Sequence, residues 1–146
     1  MKFRRNVAFI LTRSSGEILL CERSGYKGSW QFPQGGAQES ESNLDALHRE
    51  VEEEISLSPD AYRIVAERGP YRYVFRSGFR KEGFDGQDQR YFLAEALGSP
   101  EIVVDKKEFS AFRWIQPEEF LIDWVPPIKR TVYRRVFQDF FDVRLP

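Results

Sequence analysis

The chain has 146 residues with 22 basic and 23 acidic side chains, a net charge of −1, which suits one domain over 1–146 with a core that needs no staple. Its single cysteine, Cys21, excludes an internal disulfide; it is read as core packing and suits a reducing cytoplasm. No stretch approaches the about 18 apolar residues of a membrane span, and Met1-Lys2-Phe3-Arg4-Arg5 lacks the apolar segment of a signal peptide, so a soluble intracellular protein with no membrane partner is expected.

Residues 6–12 and 17–23 predict two strands joined by the turn Arg13-Ser14-Ser15-Gly16. Trp30-Gln31-Phe32-Pro33 reads as a short strand ended by proline, leading through Gly35-Gly36 into an acidic helix. Ser42 stands at the N-cap of that helix with Asp45 three residues on. Leu44, Leu47, Val51 and Ile55 then recur at spacings of three and four, an apolar stripe that faces a core. Residues 62–68, 71–79 and 89–97 predict further strands, rich in β-branched and aromatic residues, with a loop over 80–86. Residues 112–115 form another strand, and Pro117 opens a helix at a favoured first-turn position. The tail over 128–143 is helical, with Ile128, Val132, Val136 and Phe140 on one side and Phe137 and Phe141 beside them. Strands with a helix on each side predict an α/β fold, an α/β/α sandwich around a mixed β-sheet.

The acidic helix carries the chemistry. Arg49-Glu50-Val51-Glu52-Glu53-Glu54 puts four glutamates into five positions, and Glu50, Glu53 and Glu54 share one face within about 100°. Such a run is ordinarily a solvated face. Here the apolar stripe on the other side argues for a packed helix that holds three like charges together. A hard cation relieves their repulsion, because Mg²⁺ prefers carboxylate and phosphate oxygens. Glu52 projects away from the trio and is left to solvent.

Charge is also unevenly spread. Residues 39–54 hold seven acids against the one base Arg49, leaving 16 acids and 21 bases elsewhere. The bases cluster at Arg4-Arg5, Lys129-Arg130 and Arg134-Arg135. An acidic metal nest within a basic remainder suits a polyanionic substrate carried with divalent cations, whereas each cluster alone is ordinary surface solvation. Trp30 and Tyr71-Arg72-Tyr73 could stack a base, although core packing is the plainer fate of Trp30. His48, the only histidine, points away from the glutamate trio and is read as a surface or supporting residue.

In register, these residues resemble a known signature. The Nudix box runs Gly, five residues, Glu, seven residues, Arg-Glu, an aliphatic, any residue, Glu-Glu, any residue, Gly, an aliphatic. Gly35, Glu41, Arg49, Glu50, Val51, Glu53, Glu54 and Leu57 stand at the required positions, and only the second glycine departs, as Ser56. Ser29-Trp30-Gln31-Phe32-Pro33-Gln34-Gly35-Gly36 is similar to the lead-in of bacterial RNA pyrophosphohydrolases and related dinucleoside polyphosphate hydrolases. Arg4-Arg5-Asn6-Val7 resembles their first strand, with Arg5 in place of a usual proline, and residues 129–136 resemble their C-terminal helix.

The resemblance implies Mg²⁺-dependent hydrolysis of a phosphoanhydride bond, with Mn²⁺ as a substitute metal. Glu50, Glu53 and Glu54 are the implied metal ligands. Glu108 matches the position of a further glutamate that the family often places far along the chain, and a solvated loop acid is the bland alternative for it. One carboxylate takes a proton from the attacking water, with Glu53, Glu54 and Glu108 as candidates. Arg49 is expected in a salt bridge that aims the carboxylates, with Glu41 as its partner. Gly35 and Gly36 let the backbone turn and approach the substrate. Arg4, Ser29 and Lys129 are candidates to contact phosphate or nucleotide. Serine at position 56 costs up to about 1 kcal/mol if the helix ends in a left-handed turn. The substrate is expected to be a 5′-triphosphate RNA end, alternatively a dinucleoside tetraphosphate. A nucleotide-binding regulator without catalysis would be favoured by an incomplete glutamate set, and this set is complete.

Overall fold

Five apolar residues in succession, 7–11, belong in a strand covered on both faces. The computed structural model of the protein, which describes residues 1–76 and 78–146, buries all five. They lie in β1 (Phe3–Thr12), at the centre of a mixed sheet. β1 pairs antiparallel with β2 (Ile18–Arg23) and β4 (Gln34–Gly36), and parallel with β6 (Gly86–Ala96). β2 also pairs with β3 (Trp30–Gln31) and β7 (Phe109–Ile115), and β6 pairs with β5 (Tyr62–Val74). The main order β3-β2-β1-β6-β5 leaves β5 at an edge.

Alternation along β1 and β2 divides the core between two helices. Val7, Phe9, Leu11, Leu19 and Cys21 meet Ala46, Leu47, Val51 and Ile55 of α1 (Asn43–Ile55). Ala8, Ile10, Ile18 and Leu20 face the other way, toward Val132, Tyr133, Val136 and Phe137 of α2 (Pro127–Phe141). Fully burying one such side chain is worth about 1.5–3 kcal/mol, so each helix is held mainly by its stripe. The α2 side is aromatic: Phe32 stacks on Tyr133 at 5.6 Å, and the Tyr133 hydroxyl accepts a 3.1 Å hydrogen bond from the Phe32 backbone N–H. The sandwich expected from the sequence is the one observed. Among the described residues, no helix is long and apolar enough to cross a membrane.

Several local expectations change. The strands predicted over 62–68 and 71–79 are one strand, β5, whose register shifts between Arg68 and Tyr71. Gly69-Pro70 makes a bulge there rather than a break, tolerated because β5 is an edge strand. β5 ends at Val74, short of the predicted Phe79; Ser77 lies outside the described residues. Pro117 opens only a single 3-10 turn, Pro117–Glu119. Gly35 and Gly36 are in strand β4, paired with β1, rather than in the turn expected at the helix entrance. Leu44 is 44% exposed, and the buried face is turned toward Ala46 and Glu54 instead. On α2, Ile128 is exposed and Tyr133 replaces it in the buried set.

Candidate active site

The acidic helix is positioned from both ends. At its start the Ser42 hydroxyl accepts from the Asp45 backbone N–H at 3.1 Å, the N-cap that the sequence predicts. Arg5 adds a tie that was not predicted: it donates to the Gln38 and Glu41 carbonyls and to Asn43 Oδ1, each at 2.8 Å. The residue that departs from the family's usual proline therefore holds the loop that delivers Glu41. At its end the helix closes on Ser56 in the left-handed region, φ 62°. The strain expected of a serine there is partly offset, because its hydroxyl donates to the Val103 carbonyl at 2.8 Å.

Segment 102–108 is laced to that same helix end. The backbone N–H groups of Val103 and Asp105 donate to the Ile55 and Glu54 carbonyls at 3.3 and 2.9 Å, and the Glu108 carbonyl accepts from Ser24 at 2.8 Å. These bonds carry a residue remote in sequence to the glutamate helix. Glu108 is exposed, and its charge is felt at both Glu50 and Glu54.

Arg49 is the hub of the site. It bonds Glu41 bidentately at 2.7 and 2.8 Å, and reaches Glu50 at 2.9 Å, Glu53 at 3.4 Å and the Gly36 carbonyl at 3.0 Å. Paired in this way, the Glu41 carboxyl is pulled down to about 2, chiefly by the Arg49 hydrogen bonds and then by the Gln38 N–H. Glu41 thus stays charged and keeps the guanidinium in place, as the predicted salt bridge requires. Gly35 is needed for space: a Cβ there would fall 2.1 Å from Glu50 Cδ. At Gly36 a Cβ would fall 2.2 Å from the Arg4 guanidinium, so Arg4 lies flat over β4.

The glutamates differ in setting. Glu53 is 57% exposed, while Glu50 is largely covered, 15% exposed. Glu54 is buried at 5%, with its Oε1 lacking any hydrogen-bond partner. Burial first, then the charges of Glu50 and Glu108, push the Glu54 carboxyl up to about 9. Burial likewise raises Glu50, against the opposing pull of Arg49. Among the described residues there is no ready-made cage of three or more His, Cys, Asp or Glu side chains. The fit to a cation rests on the orphaned Glu54 oxygen and on the crowded carboxylates, an all-oxygen donor set of the kind a hard divalent ion takes. Glu52 is exposed, as expected.

Next to the acids lies a cavity of about 280 Å³, lined by Arg23, Lys81 and Lys129, with Gln31, Gln87 and Tyr73 in its wall and Glu108 at its acidic side. Gln31 Oε1 and Gln87 Oε1 are buried without partners. Lys129 is brought down to about 8, by burial first and then by repulsion from Arg23 and Lys81. Of the residues proposed from sequence to touch substrate, Lys129 lines this cavity. Arg4 is near enough for its charge to act on Tyr73, and pairs with Glu82 at 3.9 Å. Ser29 does not line it; its carbonyl accepts from the Arg23 N–H at 2.9 Å and so shapes the turn beside Arg23. Sequence reading missed Arg23, Lys81, Gln31 and Gln87. The one available signal was Arg23 closing a strand just before Ser24-Gly25. His48 sits off the site, its Nδ1 2.6 Å from the Tyr62 hydroxyl. Trp30 is core, 7% exposed.

The NUDIX domain family matches residues 2–136. An RNA pyrophosphohydrolase of Hahella chejuensis is 37% identical, covering 97% of this chain and 92% of its own. One of Helicobacter pylori strain G27 is 38% identical, over 95% and 94%. Among solved structures, an Ap4A hydrolase binary complex from C. elegans superposes with a TM-score of 0.70 at 19% identity, over 95% of this chain and 98% of that one. The E. coli dihydroneopterin triphosphate pyrophosphohydrolase gives 0.75 at 17%, over 96% and 97%; at such identities these two speak for the fold alone. The box residues meet around Arg49, the same family matches nearly the whole length, and the chain belongs to the NUDIX domain family.

Proposed function

We propose that this protein, acting as one domain in the cytoplasm, is a Mg²⁺-dependent RNA pyrophosphohydrolase that removes pyrophosphate from 5′-triphosphorylated RNA, with Mn²⁺ able to substitute. The observation that carries the reading is a buried, orphaned carboxylate oxygen on Glu54, amid a glutamate cluster that abuts a cavity lined by three cations. The curated relatives' names add the RNA end as substrate.

Glu50, Glu53 and Glu54 would hold the metal, with Glu108 completing the set. A bound divalent cation supplies charge neutralisation of the polyphosphate and a more acidic water. Arg49 keeps the carboxylates aimed through its bonds to Glu41, Glu50 and Glu53. Arg23, Lys81 and Lys129 receive phosphate oxygens, and Gln31 and Gln87 offer further polar contacts. Water attacks phosphorus, the anhydride P–O bond breaks, and pyrophosphate leaves with the bonding electrons. The water's proton goes to one of the exposed carboxylates, Glu53 or Glu108.

Glu53→Gln is expected to keep the fold and abolish turnover in Mg²⁺; unchanged kcat would remove Glu53 from the metal set. Parallel assays of 5′-triphosphate RNA and diadenosine tetraphosphate decide the substrate by kcat/KM. Preference for the dinucleotide would replace the RNA reading, and binding of both without hydrolysis would make the protein a regulator.

A further inference from the structure

Eight arginines, Arg49 and Arg72 among them, lie within 3.9 Å of a carboxylate. Arg68 and Arg135 have no such partner among the described residues, although both are exposed and line one hollow of about 330 Å³ with Tyr71 and Asp139. Within it Asp139 accepts from the Tyr71 hydroxyl at 2.7 Å and lies beyond ion-pair distance of both arginines. The two guanidiniums are held by aromatic faces instead: Arg135 stands 5.0 Å over the Tyr71 ring and Arg68 5.7 Å over Phe140. A cation seated on an aromatic face keeps N–H groups free for phosphate.

This hollow and the cavity beside Glu108 are separate, but both lie along the same strand, β5, and the same helix, α2. Tyr73 lines the cavity and Tyr71 lines the hollow; on edge strand β5 both are buried toward α2, two residues or about 6.6 Å apart. On α2, the exposed residues Ile128, Thr131 and Arg135 follow at spacings of three and four, one stripe running from the cavity to the hollow. Edge strand and helix together form a rail with Lys129 at one end and Arg135 and Arg68 at the other.

We propose that this rail binds the RNA strand beyond its first nucleotide, with Arg135 and Arg68 on backbone phosphates. The inference rests on the RNA reading above. A mononucleotide or a short polyphosphate would fill only the first cavity; a longer strand gains two charge-assisted contacts with no demand on sequence.

The test compares kcat/KM for a 5′-triphosphate dinucleotide and a ten-nucleotide 5′-triphosphate RNA at several salt concentrations. The wild type is expected to favour the longer RNA by about tenfold, and the Arg68→Ala/Arg135→Ala double variant to lose that ratio. With two contacts gone, the slope of log kcat/KM against log salt for the longer RNA should flatten by about 1.4. Arg135→Lys, which retains the charge, should keep most of the ratio. Arg68→Ala alone, at an exposed site that tolerates truncation, should remove about half of the slope change. A wild type indifferent to length, or a double variant with the full ratio, overturns the rail while leaving the RNA reading intact. Hydrolysis of diadenosine tetraphosphate but of neither RNA overturns that reading, and the rail with it.

Discussion

The two sides of the site are built on opposite rules. On the glutamate side, nearly every charge is locked: Glu41 and Arg49 are joined bidentately, Arg49 fans out to Glu50 and Glu53, and Arg5 secures the loop behind them. On the cation side, Arg23, Lys81 and Lys129 crowd one cavity without ion-pair partners among the described residues. Acids proposed to hold a small divalent ion need fixed geometry, because an ion such as Mg²⁺ would tolerate little error. Cations proposed to meet a polyanion need only stay available, since a phosphate chain can adjust to them. Two acids break the rule on the glutamate side: Glu54, buried with one oxygen unpartnered, and Glu108, exposed and without an ion pair among the described residues.

Glu54→Gln belongs with Glu53→Gln at the top of the scale. Replacing Glu54 with Gln removes a proposed metal ligand and should lower kcat/KM by more than about 10³-fold. The metal-free protein should respond in the opposite sense. The native carboxyl keeps its proton up to about pH 9, whereas the unfolded chain releases it near 4.5. Over that window the native state binds more protons, so its stability falls as pH rises, by up to about 1.4 kcal/mol per unit. Denaturant melts in EDTA should show this slope in the wild type and a flatter one in Glu54→Gln. Equal slopes would mean that Glu54 is not the buried acid it is taken to be.

Gly35→Ala tests the fixed geometry of the acidic side without touching a charge. Its Cβ must displace the Glu50 carboxylate, and a shift of about 1 Å in a reacting group can cost about 100-fold. Turnover at saturating metal measures this; a loss under threefold would show that the carboxylates can drift. A smaller effect belongs to the cations. Lys129 loses its charge as pH rises through about 8, so kcat/KM should fall about tenfold per pH unit above that value. Lys129→Arg should remove the limb, since arginine stays charged. A limb unchanged in the variant would assign it to another group.

How much of this could be read in the chain follows from distance along it. The glutamate face, its cap at Ser42 and the Arg49–Glu41 pair lie within 14 residues, and helical periodicity places them relative to one another. The fold followed from residues 7–11 and the two helical stripes. The cavity did not follow. Arg23 ends β2, Lys81 precedes β6 and Lys129 opens α2, and only the closure of the sheet over both helices brings them together. In the sequence Arg5 shows only as half of a basic pair and a departure from a family proline, because its value lies in three acceptors 33 to 38 residues away. Gly69-Pro70 misled for a different reason: local signals mark a break, but whether an edge strand absorbs it depends on the neighbour that pairs across it.

Ser56 has a further consequence. A glycine at that position would let the chain turn freely, but it would leave segment 102–108 attached to the helix end by backbone bonds and the packing of Ile102 and Val104, with no side-chain hydrogen bond from position 56. The serine exchanges conformational ease for a side-chain bolt between the two pieces of chain that carry Glu54 and Glu108. The left-handed strain costs up to about 1 kcal/mol, and a hydrogen bond contributes a net of about the same. Stability is therefore close to indifferent between the two residues. The tie between the segments is not indifferent: in this chain the missing glycine fastens the stretch that leads to Glu108 onto the helix end that carries Glu54.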